Sequence, residues 1–202
     1  MLLVFPVRTK TQILNTALRL FAASGVENVS MRDIATAVGI KAASIYNHYT
    51  SKEQIVDACY DFFLENYNIN RLNKDQYMPI LQNGTREEVV MVTNNQFPEE
   101  IEENMVFAMT VLFSRIYTDA KAIDRYTRQI DDSMRFLNEF FETGIKIGRF
   151  EEFNVRGVSM LLLSARLFVA QSTTIRPEEL PDWNKAQQEL MSEFINLIPF
   201  KY

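Results

Sequence analysis

Residues 30–52, SMRDIATAVGIKAASIYNHYTSK, constrain the fold more than any other part of the chain. Asp33 follows Ser30 by three residues, the spacing at which a hydroxyl and a carboxylate cap each other's backbone N–H groups at a helix start. Met31, Ile34, Ala35 and Val38 recur at helical spacing and give one buried face. Gly39 stands where a helix end needs a residue tolerant of positive φ, and Ile40 can plug the corner behind it. Residues 41–46 then suffice for a second short helix. Its exposed side is small and polar (Lys41, Ala42, Ala43, Ser44) and leads into Tyr46, Asn47 and His48, with Ile45 and Tyr49 on the inner side. Two short helices across a tight turn are the layout of a helix-turn-helix, whose second helix lies in a DNA major groove.

Two short helices cannot bury enough area alone. Residues 9–23 supply a third wall through Ile13, Leu14, Ala17, Leu18 and Phe21, with Thr9 and Gln12 at capping-box spacing and Gly25 as the stop. Ser51 and Gln54 open a further helix that runs to about Tyr67 on Ile55, Ala58, Cys59, Phe62 and Phe63. Beyond it, residues 68–83 read as irregular, with breaks at Pro79 and at Asn83-Gly84. Helices are expected over 85–97, stopped by Pro98, and over 99–117. A long one over 119–147 is expected to be capped by Thr118 and ended by Gly148. Residues 154–171 are almost continuously apolar and so call for burial on every side. Pro177 and Pro181 mark another break before a last helix over 183–198. The expectation is an all-α chain of about nine or ten helices, with a flexible arm (1–8), a three-helix head (9–54) and a larger helical body (55–202).

Three blocks, ILNTALRLFAASG (13–25), SMRDIATAVGI (30–40) and SIYNHYTSKEQI (44–55), occur in this order and spacing. Together they resemble the DNA-binding domain of the tetracycline-repressor (TetR) family of transcription regulators, over about a quarter of the chain. The resemblance implies that Tyr46, His48 and Lys52 touch phosphates, and that Ser30 and Arg32 contact the DNA backbone. Lys41, Ala42, Ala43, Ser44 and Asn47 would face the bases. The commoner family pattern has Ser-Lys-Gly where Lys41-Ala42-Ala43 stands, so the basic side chain is displaced by one position. Methyls of Ala42 and Ala43 can pack on thymine methyls, and Lys41 can reach a guanine edge or a phosphate.

Charge distribution agrees with that division of labour. Residues 1–54 hold six Lys/Arg against three acids, whereas residues 55–202 hold fifteen against 23, within a total formal charge of −5. A basic head on an acidic body fits a DNA reader carried by a domain that does not touch DNA. The single cysteine, Cys59, permits no disulfide within the chain and fits a reducing cytoplasm. The opening MLLVFPV is too short for a signal sequence, and no apolar run approaches the roughly 20 residues of a membrane span. With one histidine, no phosphate loop, no nucleophile elbow and no metal-ligand spacing, the sequence offers no basis for an enzyme, a metal site or a cofactor.

The body is expected to bind a small, partly apolar molecule and to dimerise, as the resemblance implies. Candidate pocket residues are Phe107, Phe113, Tyr117, Tyr126, Met134, Leu137, Phe141, Met160 and Phe168, adaptable aromatic and thioether side chains that equally suit plain core. Arg166 lies inside the most apolar helix and needs a partner, either an acid across a dimer interface or a polar group of a ligand. Residues 154–171 and 183–198, with small residues at Gly157, Ser164 and Ala165, are the expected dimer surface. The functional expectation is a homodimeric, ligand-responsive repressor released from a palindromic double-stranded operator by its effector. The alternative is a helical small-molecule sensor whose head has lost specific DNA recognition.

Overall fold

The structure, a computed structural model, describes residues 9–69, 71–94, 99–175 and 183–201. The expected arm at 1–8 and the prolines at 98, 177 and 181 lie outside these residues. Ten α-helices are described: α1 (Thr9–Ser24), α2 (Met31–Val38), α3 (Ala42–Ile45), α4 (Lys52–Ile69), α5 (Lys74–Asn83), α6 (Arg86–Val92), α7 (Glu99–Arg115), α8 (Ala120–Lys146), α9 (Val155–Ile175) and α10 (Trp183–Phe194). Short 3-10 turns at Val26–Asn28 and Ile195–Leu197 complete the order. The described residues contain no strand, only an isolated bridge between Phe150 and Phe200.

Two compact units emerge, with the boundary falling inside α4 and α8. The first comprises the described parts of 1–64 and 99–125. Ile13, Ala17, Leu18 and Phe21 of α1, Ile34 and Ala35 of α2, and Ile45 of α3 are all buried, and α1 packs against both α2 and α7. Buried Met105, Ala108 and Leu112 of α7 enlarge this core beyond what residues 9–54 supply. The second unit comprises 65–98 and 126–202 in its described parts. Its core is strongly aromatic: Tyr77, Phe140, Phe141 and Phe150 are buried with Leu81, Leu162 and Leu163.

Local capping explains most helix starts and two departures from expectation. Asn73 and Gln76 form a complete capping box that starts α5, so residues 74–83 are helical despite Pro79. The N–H that proline lacks would have bonded the carbonyl of exposed Asp75, where solvent can substitute. Helix α8 is capped by Asp119 rather than Thr118: a carboxylate oxygen accepts the Lys121 N–H at 2.8 Å, and the Asp119 carbonyl takes the Ile123 N–H. Thr85 and Glu88 box the start of α6, which ends at Val92, short of the expected 97. Thr93 there turns its hydroxyl onto the Val90 carbonyl at 2.7 Å. In this single chain α9 is not buried all round. Met160, Leu161 and Phe168 are 52%, 54% and 68% exposed, and lie with Gly157 and Ser164 on one stripe of spacing three and four.

Candidate nucleic-acid interface

The candidate face begins with a helix start that the sequence fully specifies. The Ser30 hydroxyl accepts the Asp33 N–H at 3.2 Å and donates to the Asp33 carboxylate at 2.7 Å, and that carboxylate also accepts the Ser30 N–H at 2.8 Å. The side-chain and backbone hydrogen bonds from Ser30 hold the Asp33 carboxyl below its ordinary value. This fixes the start of α2. Its other end closes at Gly39, φ +80°: the Gly39 N–H bonds the Thr36 carbonyl at 3.1 Å and the Ile40 N–H the Ala35 carbonyl at 2.9 Å. This paired closure ends α2 sharply and redirects the chain.

Helix α3 follows after Lys41 and is tightened at both ends, by Ser44 N–H to Lys41 carbonyl at 2.8 Å and by Asn47 N–H to Ser44 carbonyl at 3.2 Å. Ile45 and Tyr49 are buried, as their spacing implied, and they anchor α3 to the head. Burial pushes the Tyr49 phenol up to about 12, so it is a neutral core group. On the opposite side Lys41, Ala42, Ala43 and Asn47 are exposed, Ser44 and His48 are half-buried, and Tyr46 is 53% exposed. The face is thus small and backbone-accessible at its start and carries hydrogen-bonding side chains at its end. Arg32 is also exposed.

Two expected contact residues are otherwise engaged. The Ser30 hydroxyl is occupied by its cap, leaving α2's first turn and Arg32 as the available groups. The Lys52 ammonium, partly buried, donates to the Val26 carbonyl at 2.9 Å. A cleft of about 320 Å³ adjoins it, lined by Glu27, Asp57, Arg115, Asp119 and Lys121 among others. Lys10, one of the six basic residues of 1–54 but not among the expected contacts, sits over the Tyr49 ring at 5.3 Å from its centroid and adds an exposed cation beside the 46–49 turn. Only the packing of α1 brings it there, since the pair is far apart along the chain.

The nine candidate pocket residues are dispersed. Phe107, Phe113 and Tyr117 belong to the first unit, and Tyr117 is 91% exposed. Leu137 and Phe141 are buried in the aromatic core of the second unit, with Met134 packed against it. Tyr126 is half-buried, while Met160 and Phe168 point outward from α9. The second unit has clefts elsewhere. One of about 300 Å³ lies between α6 and α10, lined by Val90, Met91, Met191 and Ile195, and one of about 440 Å³ is lined by Arg71, Lys74, Tyr77, Phe136 and Glu139.

Comparison with known proteins agrees with this geometry. Residues 13–59 match the family of bacterial regulatory proteins described as the tetR family. The HTH-type transcriptional repressor KstR2 of Rhodococcus jostii (strain RHA1) is 43% identical over 56 residues, which is 28% of this chain and 28% of that protein. The match to that curated relative therefore spans little more than a quarter of its length. Two solved structures resemble the chain nearly end to end. The TetR family transcriptional regulator PfmR from Thermus thermophilus has a TM-score of 0.66 at 21% identity, covering 96% of each chain. A Saccharomonospora viridis protein in complex with choline has a TM-score of 0.71 at 19% identity, covering 95% of this chain and 98% of that one. At such identities these two establish the all-helical fold and nothing finer.

Proposed function

The head of this chain belongs to the TetR family of transcriptional regulators, and from that premise we propose that the protein works as a homodimeric, ligand-responsive repressor. Two copies of the α3 face enter successive major grooves of a palindromic operator, with half-sites about 34 Å apart. The observation that carries the reading is the open face from Lys41 to His48, held rigid by a capped α2 and a buried Ile45. Lys41, Arg32 and Lys10 supply charge for phosphates, and Tyr46 and His48 supply hydrogen bonds. Ala42, Ala43, Ser44 and Asn47 face base edges.

The outward stripe of α9 supports dimerisation. Met160, Leu161 and Phe168 are large apolar groups on a helix whose other face is buried, and Gly157 and Ser164 allow a second helix to come close. An effector in the body acts by preferring a dimer whose two heads are wrongly spaced, so that the population shifts away from the DNA-binding form. The choline bound by the Saccharomonospora viridis protein supports a small-molecule site in a fold of this kind.

The test is binding to the DNA upstream of the protein's own gene, measured at two stated salt concentrations and followed by footprinting. A two-lobed footprint with half-sites one helical turn apart is expected. Tyr46→Phe should weaken binding about tenfold with unchanged helicity, the worth of one hydrogen bond to a charged oxygen. Binding that ignores sequence, together with a thermal response to small molecules, would instead favour a sensor whose head no longer reads DNA.

A further inference from the structure

We propose that the second unit holds the acidic head of an amphiphilic effector, a carboxylate or phosphate monoester on an apolar body, against the guanidinium of Arg166 beside the end of α6. This rests on the reading of the body as a small-molecule receptor. Arg166 shares the inward side of α9 with Ser159, Leu162 and Leu163, all buried, and Leu167 packs on the same core. One of its terminal nitrogens donates to the Thr93 carbonyl and lies 3.7 Å from the Met191 sulfur. Its Nε is enclosed and has no partner. The next residue after Thr93 repeats the pattern: Asn94 is buried, and its amide Nδ2 donor is also unmet. Ser159, two turns before Arg166 on α9, buries a hydroxyl with no partner.

A second cation stands close by. Arg71 donates to the Asp132 carbonyl at 3.1 Å and to the Ser133 hydroxyl at 2.9 Å, and it stacks on the rings of Tyr67 and Phe136. Among the described residues no carboxylate pairs with Arg71 or Arg166, whereas Lys74, Arg125 and Arg135 each find one. Burial lowers Arg166 to about 10, with Tyr67 opposing that shift and Arg71 adding to it. The guanidinium therefore stays charged at neutral pH, in apolar surroundings, with a like charge nearby. A half-buried cation with an enclosed, unmet Nε, and unmet donors on neighbouring buried residues, cost stability unless something accepts from them. A single oxyanion at this place neutralises the charge and accepts from Arg166 Nε, with the unmet Asn94 amide, next to the Thr93 that Arg166 contacts, as the second donor the proposal assigns to it. The apolar side chains around Arg166 call for a hydrocarbon or aromatic body behind that head.

The experiment is thermal unfolding of the full chain with sodium octanoate, octyl phosphate, octanamide and choline at matched concentrations, without DNA. At least one of the two anions is expected to raise Tm, and which one responds distinguishes a carboxylate head from a phosphate head. Octanamide and choline should bind at least about tenfold more weakly, the loss expected when a charge-assisted pair is removed. Arg166→Met should abolish the preference for the anion yet leave the unliganded protein as stable as the parent or more so, because a half-buried charge without a carboxylate is gone. Arg166→Lys should retain anion selectivity at reduced affinity, and Arg135→Gln, at an exposed pair with Asp132, should change nothing. Equal response to octanamide, response to choline, no response to either anion, or anion selectivity surviving in Arg166→Met overturns the proposal. A marked fall in unliganded Tm in Arg166→Met makes Arg166 a structural group and overturns it too. Operator binding by the same unliganded samples is a separate readout, so failure of the regulator reading is distinguishable from failure of this one.

Discussion

Replacing Gly144 by alanine should destabilise the second unit, against the sign that helix propensity alone assigns. In a helix interior alanine is favoured over glycine by about 1 kcal/mol. Here the added Cβ would fall 2.2 Å from Cε2 and 2.3 Å from Cδ2 of Phe150, whereas ordinary contact begins near 3.4 Å, so the ring must move by about 1.2 Å. The ring has little room for that. Phe150 is fully buried and hemmed by Phe140, Phe141, Phe153 and Phe200 at centroid separations of 6.3, 6.0, 6.3 and 5.0 Å. Its backbone is tied as well, because the Arg149 and Phe150 N–H groups both bond the Gly144 carbonyl, at 2.8 and 3.3 Å. Overpacking such a site costs about 3 kcal/mol, so after the propensity gain the net loss is about 2 kcal/mol. For a chain of this size that corresponds to roughly 4–8 °C in Tm, read by circular dichroism. Gly144→Ala combined with Phe150→Leu should recover part of the loss, since the smaller side chain frees the contested space. A Tm for Gly144→Ala equal to or above the parent's would refute the reasoning.

Two further outcomes follow from groups in the first unit. The carboxylate of Asp119 is partly buried, which by itself would raise its pKa. The Lys121 N–H, the Tyr60 hydroxyl, the Ala122 N–H and Arg115 outweigh that and hold it below the ordinary value. A carboxyl depressed in the folded state contributes stability that is present above about pH 4 and lost as pH falls through the folded value. Tyr60→Phe removes the 3.0 Å hydrogen bond and should cost about 1 kcal/mol at neutral pH while flattening the loss of Tm on acidification; an unchanged acid profile counts against it. Cys59 is fully buried and burial pushes its thiol upward, so it should react with a thiol reagent only at the rate of unfolding, and prompt native-state labelling would contradict that placement.

Short-range patterns make the head readable from its residues alone. The Ser30–Asp33 box, Gly39, and the inner pair Ile45 and Tyr49 each act within a few residues, so spacing reports them directly. The Asn73–Gln76 and Thr85–Glu88 boxes carry the same kind of signal, yet α5 is obscured by Pro79, because a proline's effect depends on whether solvent can satisfy the carbonyl it leaves open. Pocket residues are the least legible part. Leu137 and Met160 look alike in a helical stripe, but one is buried and the other outward-facing, and periodicity does not say which stripe meets another helix.

The linear order of residues was enough to specify the helices of the head, the Ser30–Asp33 cap, and which side of α3 is small and polar, since those depend on contacts a turn or less apart; it missed α5 and placed the cap of α8 one residue early. What it could not supply were partners set by chain folding over long separations. Lys52 reaches Val26 rather than standing free, Lys10 comes to lie over Tyr49, and Arg166 turns inward onto Thr93 without an acid to meet it. Each is a charged side chain long enough to choose among several neighbours, and that choice is made only when distant segments pack and withdraw the water that would otherwise serve equally well.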